Sequence, residues 1–371
     1  MKNYDKNSLT GFVLMFLILL IFNFYFLPTT EEISEQKEEI KTENNISEPK
    51  SINTDKIELT SDEKEKKYGV FSNSAESEFN EYVIENNKIK VVISNKGGRI
   101  NSVTIKEGPN KKKYKTYDGN ELEIFNSDSS LFNLNFSTGI SINTKDLFFN
   151  PTQISKDEIT MRLEVDSSHF IDFNYKLKED YLVDFDINLI GMNEVIPNEL
   201  NFMNLQWQMK TPQTEKSREN QDMYTGIYYQ YFADKDDIDY LGYTNSDDIE
   251  KISNKLSWIA FQQQFFSSIL VAENGIKNTN LTSIKEENSD YVKNLSAEFE
   301  IDYNHNDYEN IGFQFYFGPN HYKQLQSYNK NFEEIIPLGW GIFGWVNKYI
   351  IINIFDFLSR FFSNYGLIIF L

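Results

Sequence analysis

Hydrophobic and polar positions follow three regimes along the chain, and each predicts a different structure. Leu9 to Leu27 (LTGFVLMFLILLIFNFYFL) is 19 residues without a charge, close to the ~20 a helix needs to cross a bilayer. Lys2 and Lys6 precede it, and Glu31 and Glu32 follow it. The positive-inside bias then puts residues 1–8 in the cytoplasm and everything after Leu27 outside. A cleaved signal peptide would have a shorter apolar core ending in small residues. Here the stretch ends Phe24-Tyr25-Phe26-Leu27-Pro28, so the pattern predicts an uncleaved transmembrane helix at 9–27. Residues 28–67 are rich in Glu, Lys, Ser, Asn and Thr and poor in large apolar side chains. Such a segment cannot bury enough surface to offset chain entropy, which predicts a disordered acidic linker.

From 68 to 337 the period drops to two. Lys88–Ile93 alternates, Asn95-Lys96-Gly97-Gly98 turns, and Ile100, Val103 and Ile105 resume. Paired glycines between β-branched runs signal a hairpin, because the turn needs positive φ. Similar runs recur at Leu131–Phe136, Thr160–Val165, Phe170–Leu177, Tyr181–Ile190, Leu205–Met209, Leu256–Phe261 and Ser267–Val271. Tyr181–Ile190 has one apolar and one acidic face, which suits an antiparallel sheet with a wet side. Many short strands at this spacing predict a large β-sandwich. The polar stretches Thr211–Tyr224 and Asp234–Ile249 read as loops. After the turn Gly318-Pro319-Asn320-His321, the spacing of Tyr322, Leu325 and Tyr328 predicts a short amphipathic helix.

At Pro337 the period changes again, to that of a helix over 338–364. On a 3.6-residue wheel, Lys348, Asn353, Asp356, Ser359 and Arg360 share one arc. Ile350, Ile351, Ile354, Phe355, Phe357, Leu358, Phe361 and Phe362 fill the other, with Asn347 and Ile352 as misfits. A large apolar face, a charged stripe, and Trp340 and Trp345 at one end describe a helix lying in a membrane interface. The competing reading is an ordinary domain helix facing its own core. Leu367–Leu371 is uniformly apolar, and 365–371 reads as the start of a second transmembrane helix.

Composition adds exclusions. Net charge is −20, which argues against a nucleic-acid partner, since phosphate contacts need a Lys/Arg surplus. With no Cys, neither a disulfide framework nor a Cys-ligated metal is possible. The three histidines, His169, His305 and His321, lie in turns or at strand edges, and no motif fixes a catalytic partner for any of them. The clusters Asp234–Asp237 and Asp247-Asp248 lack the spaced ligands of an EF-hand loop, so no metal residue is assigned.

Four segments in order resemble the YidC insertases. They are the N-terminal span with its acidic tether; Asn95–Ile100 with Val103 and Ile105; Leu256-Ser257-Trp258-Ile259-Ala260-Phe261-Gln262-Gln263-Gln264-Phe265-Phe266-Ser267-Ser268; and Tyr316–Tyr322, Leu338–Trp345 and Ser363–Gly366. The resemblance implies an N-terminal transmembrane helix followed by a mainly-β periplasmic domain, a large mutarotase-like β-sandwich. An amphipathic interfacial helix and the start of a second span would come next. It implies insertion and folding of nascent inner-membrane proteins, alone or beside SecYEG and its associated components, at the lipid bilayer of the bacterial inner membrane. No catalytic residue and no cofactor is implied. The basic residue of the family's polar groove is expected beyond Leu371. The residues to watch here are those of the interfacial helix: Trp340, Trp345, Lys348, Ile354, Phe355, Leu358 and Arg360. Two other classes stay open: a membrane-anchored carbohydrate-active enzyme built on the sandwich, and an envelope scaffold.

Overall fold

The computed structural model of the chain describes residues 60–109, 113–234, 237–243, 247–287, 289–359, 361–362 and 365–370. The expected span at 9–27 and the linker as far as residue 59 lie outside the described residues. Helix α1 (Ser61–Tyr68) opens with a capping box: the Thr60 hydroxyl accepts from the Glu63 amide, and the Glu63 carboxylate accepts from the Thr60 amide. Two otherwise orphaned donors are satisfied by one pair of side chains. Helical structure therefore begins before Tyr68, in a segment whose composition reads as linker. Tyr68 is its one buried residue, so no apolar period announces it.

Strands β1 (Glu81–Glu85), β2 (Ile89–Ser94), β3 (Ile100–Ile105) and β4 (Leu122–Phe125) form a small antiparallel sheet in that order. The β2–β3 hairpin is the one expected, with Gly97 and Gly98 at φ +79° and +62°. A larger sheet system follows: β5 (Ser130–Ser137), β6 (Ser141–Asn143), β7 (Asn150–Ile154), β8 (Glu158–Glu164), β9 (Phe170–Leu177), β10 (Leu182–Ile190), β11 (Phe202–Pro212), β12 (Gly226–Tyr231), β13 (Ile238–Leu241), β14 (Asp248–Ile252), β15 (Leu256–Gln262), β16 (Phe266–Lys285), β17 (Tyr291–Asp302) and β18 (Tyr308–Pro319). One layer runs β6-β5-β11-β17-β16-β14, and the other β7-β8-β9-β10-β18-β16-β15-β12-β13. Strand β16, 20 residues long, belongs to both. Its first half pairs with β18 through Ala272 and with β15 as far as Ile276, and its second half, from Lys277, pairs with β17 and β14. Between the halves Gly275 and Asn278 adopt positive φ and the register slips, as where a strand turns the corner between two sheets.

Aromatic side chains fill the space between the layers. Trp207 of β11 stacks on Phe261 of β15 with centroids 3.9 Å apart, and Phe132 of β5 meets Phe185 of β10 edge-on at 5.3 Å. Burial on β10 alternates without a break, as its sequence predicts. The small sheet closes one side, with Phe125 against Phe317 at 5.6 Å and the Tyr175 hydroxyl donating to the Gly98 carbonyl at 2.9 Å.

Two polar stretches read as loops are partly ordered. Thr211–Tyr224 contains helix α2 (Arg218–Met223), capped by Ser217, and Asp234–Ile249 contains β13 and the start of β14. The physical reason for α2 is the fully buried Lys293. Its ammonium donates to the carbonyls of Asp222 and Thr225 at 3.1 and 2.9 Å and to that of Gly242, and it pairs with the Asp222 carboxylate at 3.1 Å. A charge taken from water must be surrounded in this way or it unfolds its site. Such long-range support leaves no period in the sequence.

Gly98→Ala is expected to lower stability by about 2–4 kcal/mol, because its Cβ would lie 2.7 Å from the Phe149 ring at positive φ. Gly119→Ala, also at positive φ but with nothing within 4 Å, should cost only about 1 kcal/mol. Equal urea midpoints for the two variants would contradict this packing.

Alkaline pH gives a second test. Tyr175, Tyr181 and Tyr316 are buried and donate to the carbonyls of Gly98, Glu107 and Pro319. Burial pushes all three hydroxyls well above the ordinary tyrosine range. A raised folded value means their contribution is complete below the unfolded pKa of about 10 and is lost as pH rises beyond it. Lys293, pulled down by burial, opposes this as a single group. Stability should therefore fall above pH ~10, and tyrosinate absorbance should rise in two steps, the second coinciding with unfolding. A single step preceding any loss of structure would refute the buried assignments.

Candidate membrane-contact surface

The segment after the sandwich begins with a glycine turn. Gly339 and Gly341 have φ of +86° and +59°, a conformation that favours glycine. Gly344 packs so close to the Gly339 carbonyl that a Cβ would meet it at 2.5 Å. The Asn347 amide reaches back to the Leu338 carbonyl at 2.8 Å. Ahead of this turn, α3 (Tyr322–Ser327) forms where the spacing predicts a helix, and a short 3₁₀ turn comes next at Phe332–Ile335. Beyond the glycines runs one helical rod: α4 (Ile342–Val346), a π turn (Asn347–Ile351) and α5 (Ile352–Ser359). A separate helix, α6, covers Tyr365–Phe370.

The π turn explains one of the two misfits of the wheel. A π turn takes in an extra residue and shifts the helical phase of the residues after it, so Asn347, at its start, does not share a wheel with the residues beyond it. Ile352 lies on the same face of α5 as Asp356, four residues on, and is half-buried there.

The charged stripe of the rod is turned towards the sandwich. Lys323 of α3 pairs with Asp356 at 2.6 Å, and His321, immediately before α3, lies 3.7 Å from the other Asp356 oxygen. Lys348 pairs with Glu334 at 3.4 Å and sits 5.9 Å from the Tyr322 ring centroid. Hydrogen bonding to Tyr322 and the charge of Glu334 hold the Lys348 ammonium above its usual range, while burial pulls the His321 imidazole down. Phe355 and Leu358 are half-buried. Trp345, Ile354 and Phe357 are exposed, the last at 59%, and Trp340 reaches 84%. Arg360 lies outside the described residues. A domain helix buries its apolar stripe and wets its polar one; here Lys348 and Asp356 of the polar stripe meet the protein while Ile350, Ile354 and Phe357 of the apolar face stand exposed. Each exposed Ile or Phe forgoes roughly 1.5–3 kcal/mol of burial. A contiguous apolar surface of that kind marks a contact site rather than ordinary protein surface. Among the described residues no helix is long and apolar enough to cross a membrane.

A separate polar cleft of about 580 Å³ is lined by Lys178, Asp184, Asp186, Glu273, Gln314 and Trp258, among others. Asp184 is already held by Lys178 and by the Gln314 amide. None of the three histidines lines this cleft. His169 is bound by Asp166 at 2.8 Å and Glu194 at 3.3 Å, and His305 contacts the Leu200 carbonyl at 2.8 Å. Asp247 and Asp248 accept backbone amides of Lys285 and Gly242, which makes them loop caps. Among the described residues no group of three or more His, Asp or Glu side chains converges as a metal site would require.

Comparison with known proteins adds to this geometry. The chain is 32% identical to the membrane protein insertase YidC of Parabacteroides distasonis over 398 residues, covering 99% of this chain and 61% of that protein. The protein of the same name from Azobacteroides pseudotrichonymphae is 34% identical, over 96% of this chain and 58% of that one. The chain thus spans about three fifths of the length of these relatives. Among solved structures it is similar to a galactose mutarotase-like protein from Lactobacillus casei, with TM-score 0.42, 10% identity, and 64% of this chain and all of that one covered. It is similar also to a galactose mutarotase related enzyme from Lactobacillus acidophilus, with TM-score 0.39, 11% identity, and 64% and 97% covered. A likeness of that degree says nothing of activity. The family model of the YidC periplasmic domain matches residues 81–352, from the first strand of the small sheet into the rod, and the chain belongs to the YidC family.

Proposed function

We propose that this chain is the anchored, extracytoplasmic part of an insertase that inserts and folds nascent inner-membrane proteins, alone or with the Sec translocon. In this reading residues 9–27 cross the inner membrane with the N-terminus in the cytoplasm. The sandwich stands in the periplasm and carries no catalysis of its own. The rod at 342–359 lies flat on the outer leaflet, and the chain enters a second span from 365 onward. Insertion belongs to a polar groove formed by later helices, with a basic residue beyond Leu371. The relatives' name and the family match support the class of activity. The observation that carries the reading is the exposed apolar face of the rod. Ion pairs hold its polar stripe to the protein and leave Ile354 and Phe357 facing outward, as a bilayer surface requires.

The first expected outcome concerns the exposed face. Ile354→Asp puts a charge where the bilayer should be, costing on the order of 2 kcal/mol at shallow depth. A peptide of residues 339–362 should bind phospholipid vesicles as a surface-parallel helix by oriented circular dichroism. The Asp variant should bind roughly 30-fold more weakly, the same energy expressed as a partition ratio. A peptide that stays in water, or that stands perpendicular to the plane, ends the interfacial reading.

The second concerns activity. In a strain depleted of its own insertase, a gene carrying this chain and the remaining two fifths of the relatives' length should restore growth. A version stopping at Leu371 should not. Rescue by the short version would show that the sandwich and rod suffice, against the assignment of insertion to a later groove.

A further inference from the structure

The end of the sandwich that holds the rod exposes a second set of residues suited to the same surface. The turn between β15 and β16 abuts the entry to α3. The Asn320 amide donates to the Phe265 carbonyl at 2.8 Å, and the Asn320 side chain donates to the Gln263 carbonyl at 2.9 Å. The next residue, His321, is the one that faces Asp356 of the rod at 3.7 Å. At the tip of that turn two phenylalanines part company. Phe266 is 5% exposed and Phe265 is 50% exposed. Phe266 is covered by Tyr114 of the β3–β4 loop, with ring centroids 5.2 Å apart. The residues flanking Tyr114 are Lys113 and Lys115, both exposed, and Tyr117 lies just beyond, also exposed. Contacts thus link the rod to His321, its neighbour Asn320 to the turn, and Phe266 of the turn to Tyr114, which lies between the two lysines.

These residues have a poor account as ordinary surface. Phe265 sits in a tight turn where a polar residue would cost nothing, and the aromatic-plus-lysine pairing recurs at membrane–water boundaries. The charge is also out of keeping with the molecule: in a chain of net charge −20, residues 110–117 carry four lysines and no carboxylate, with Glu107 and Glu121 facing Lys113 and Lys115 across antiparallel bridges. Lysines beside an apolar tip complement an anionic lipid surface, which draws each in by about 1 kcal/mol.

We propose that Phe265, with Lys113 and Lys115, forms a second foothold on anionic phospholipid, on the same leaflet as the rod. The proposal rests on the rod being membrane-bound. A single helix lying on a surface leaves the attached domain free to roll about the helix axis. A second contact off that axis removes the freedom and fixes which side of the sandwich faces the bilayer.

The chain has no cysteine, so single sites can be labelled without other substitutions. Phe265→Cys, Ile354→Cys and Tyr308→Cys would each carry a nitroxide, in chain reconstituted into vesicles of phosphatidylglycerol with phosphatidylcholine or of phosphatidylcholine alone. Tyr308 is exposed at the far end of β18 and reports water. The measurement is collision of the label with oxygen against a water-soluble nickel chelate. In the anionic vesicles the label at 265 should read as lipid, like that at 354 and unlike that at 308. Adding Lys113→Gln and Lys115→Gln should lower the ratio of its lipid-bound to water-exposed population roughly 30-fold, two lysines' worth of surface attraction. A label at 265 that reads as water while 354 reads as lipid would overturn the foothold and leave the rod's assignment intact. Water at both positions would overturn the reading of the rod, and the foothold with it. Lipid at 265 in both vesicle types, unaffected by the lysine changes, would overturn the anionic part.

Discussion

Strand β16 sets the geometry on which the other elements depend. By pairing with β15 and β18 before its bend and with β17 and β14 after it, it makes two layers out of one continuous run of backbone hydrogen bonds. Once the layers are joined along one strand, their separation and crossing are fixed, and the facing side chains must fill what is left. Large planar rings do this: Trp207 on Phe261, Phe132 on Phe185, Phe125 on Phe317. An abundance of Phe and Tyr is thus a requirement of the joint. Offset and edge-on ring contacts add about 0.5–1.5 kcal/mol each beyond their area.

The same end of the molecule holds the rod, and the division of labour there is electrostatic. Asp356 and Lys348 of the rod meet Lys323, His321 and Glu334 of the sandwich. Partly exposed pairs of this kind are individually weak, worth about 0–1 kcal/mol. Their value lies in direction. They leave only one face of the rod available for the protein, and the other then has to find its partner outside.

Much of this was legible in the sequence. The period of two in Leu182–Ile190 and the Gly97-Gly98 turn depend only on local rules, and both appear as expected. The amphipathic rod was equally plain. Its orientation was legible from the density of Ile and Phe on one face and the Trp pair, since a wheel alone shows only that two faces differ; the groups that meet its polar stripe, His321, Lys323 and Glu334, were not. Helix α2 escaped notice because its support is Lys293, some 70 residues away in sequence. The full length of β16 escaped notice because Glu273-Asn274-Gly275 looks like a terminator, and is in fact the bend. Asn347 and Ile352 were visible as misfits; the π turn gives the first a cause, and the second is half-buried on the face that carries Asp356.

That turn constrains heredity as much as geometry. Between Val346 and Ile352 the π turn holds one residue more than an α-helical turn would, so loss of a residue there winds it into α-helix and leaves the face after it where it was. Asp356 would still meet Lys323, whereas one residue more would have no turn left to absorb it and would swing the outward face by about 100°. Among descendants of this sequence, exchange of one apolar residue for another should pass freely in this stretch. A single deletion should pass as well, and insertions should be purged, even though the segment lies at the surface, where changes of length are usually forgiven.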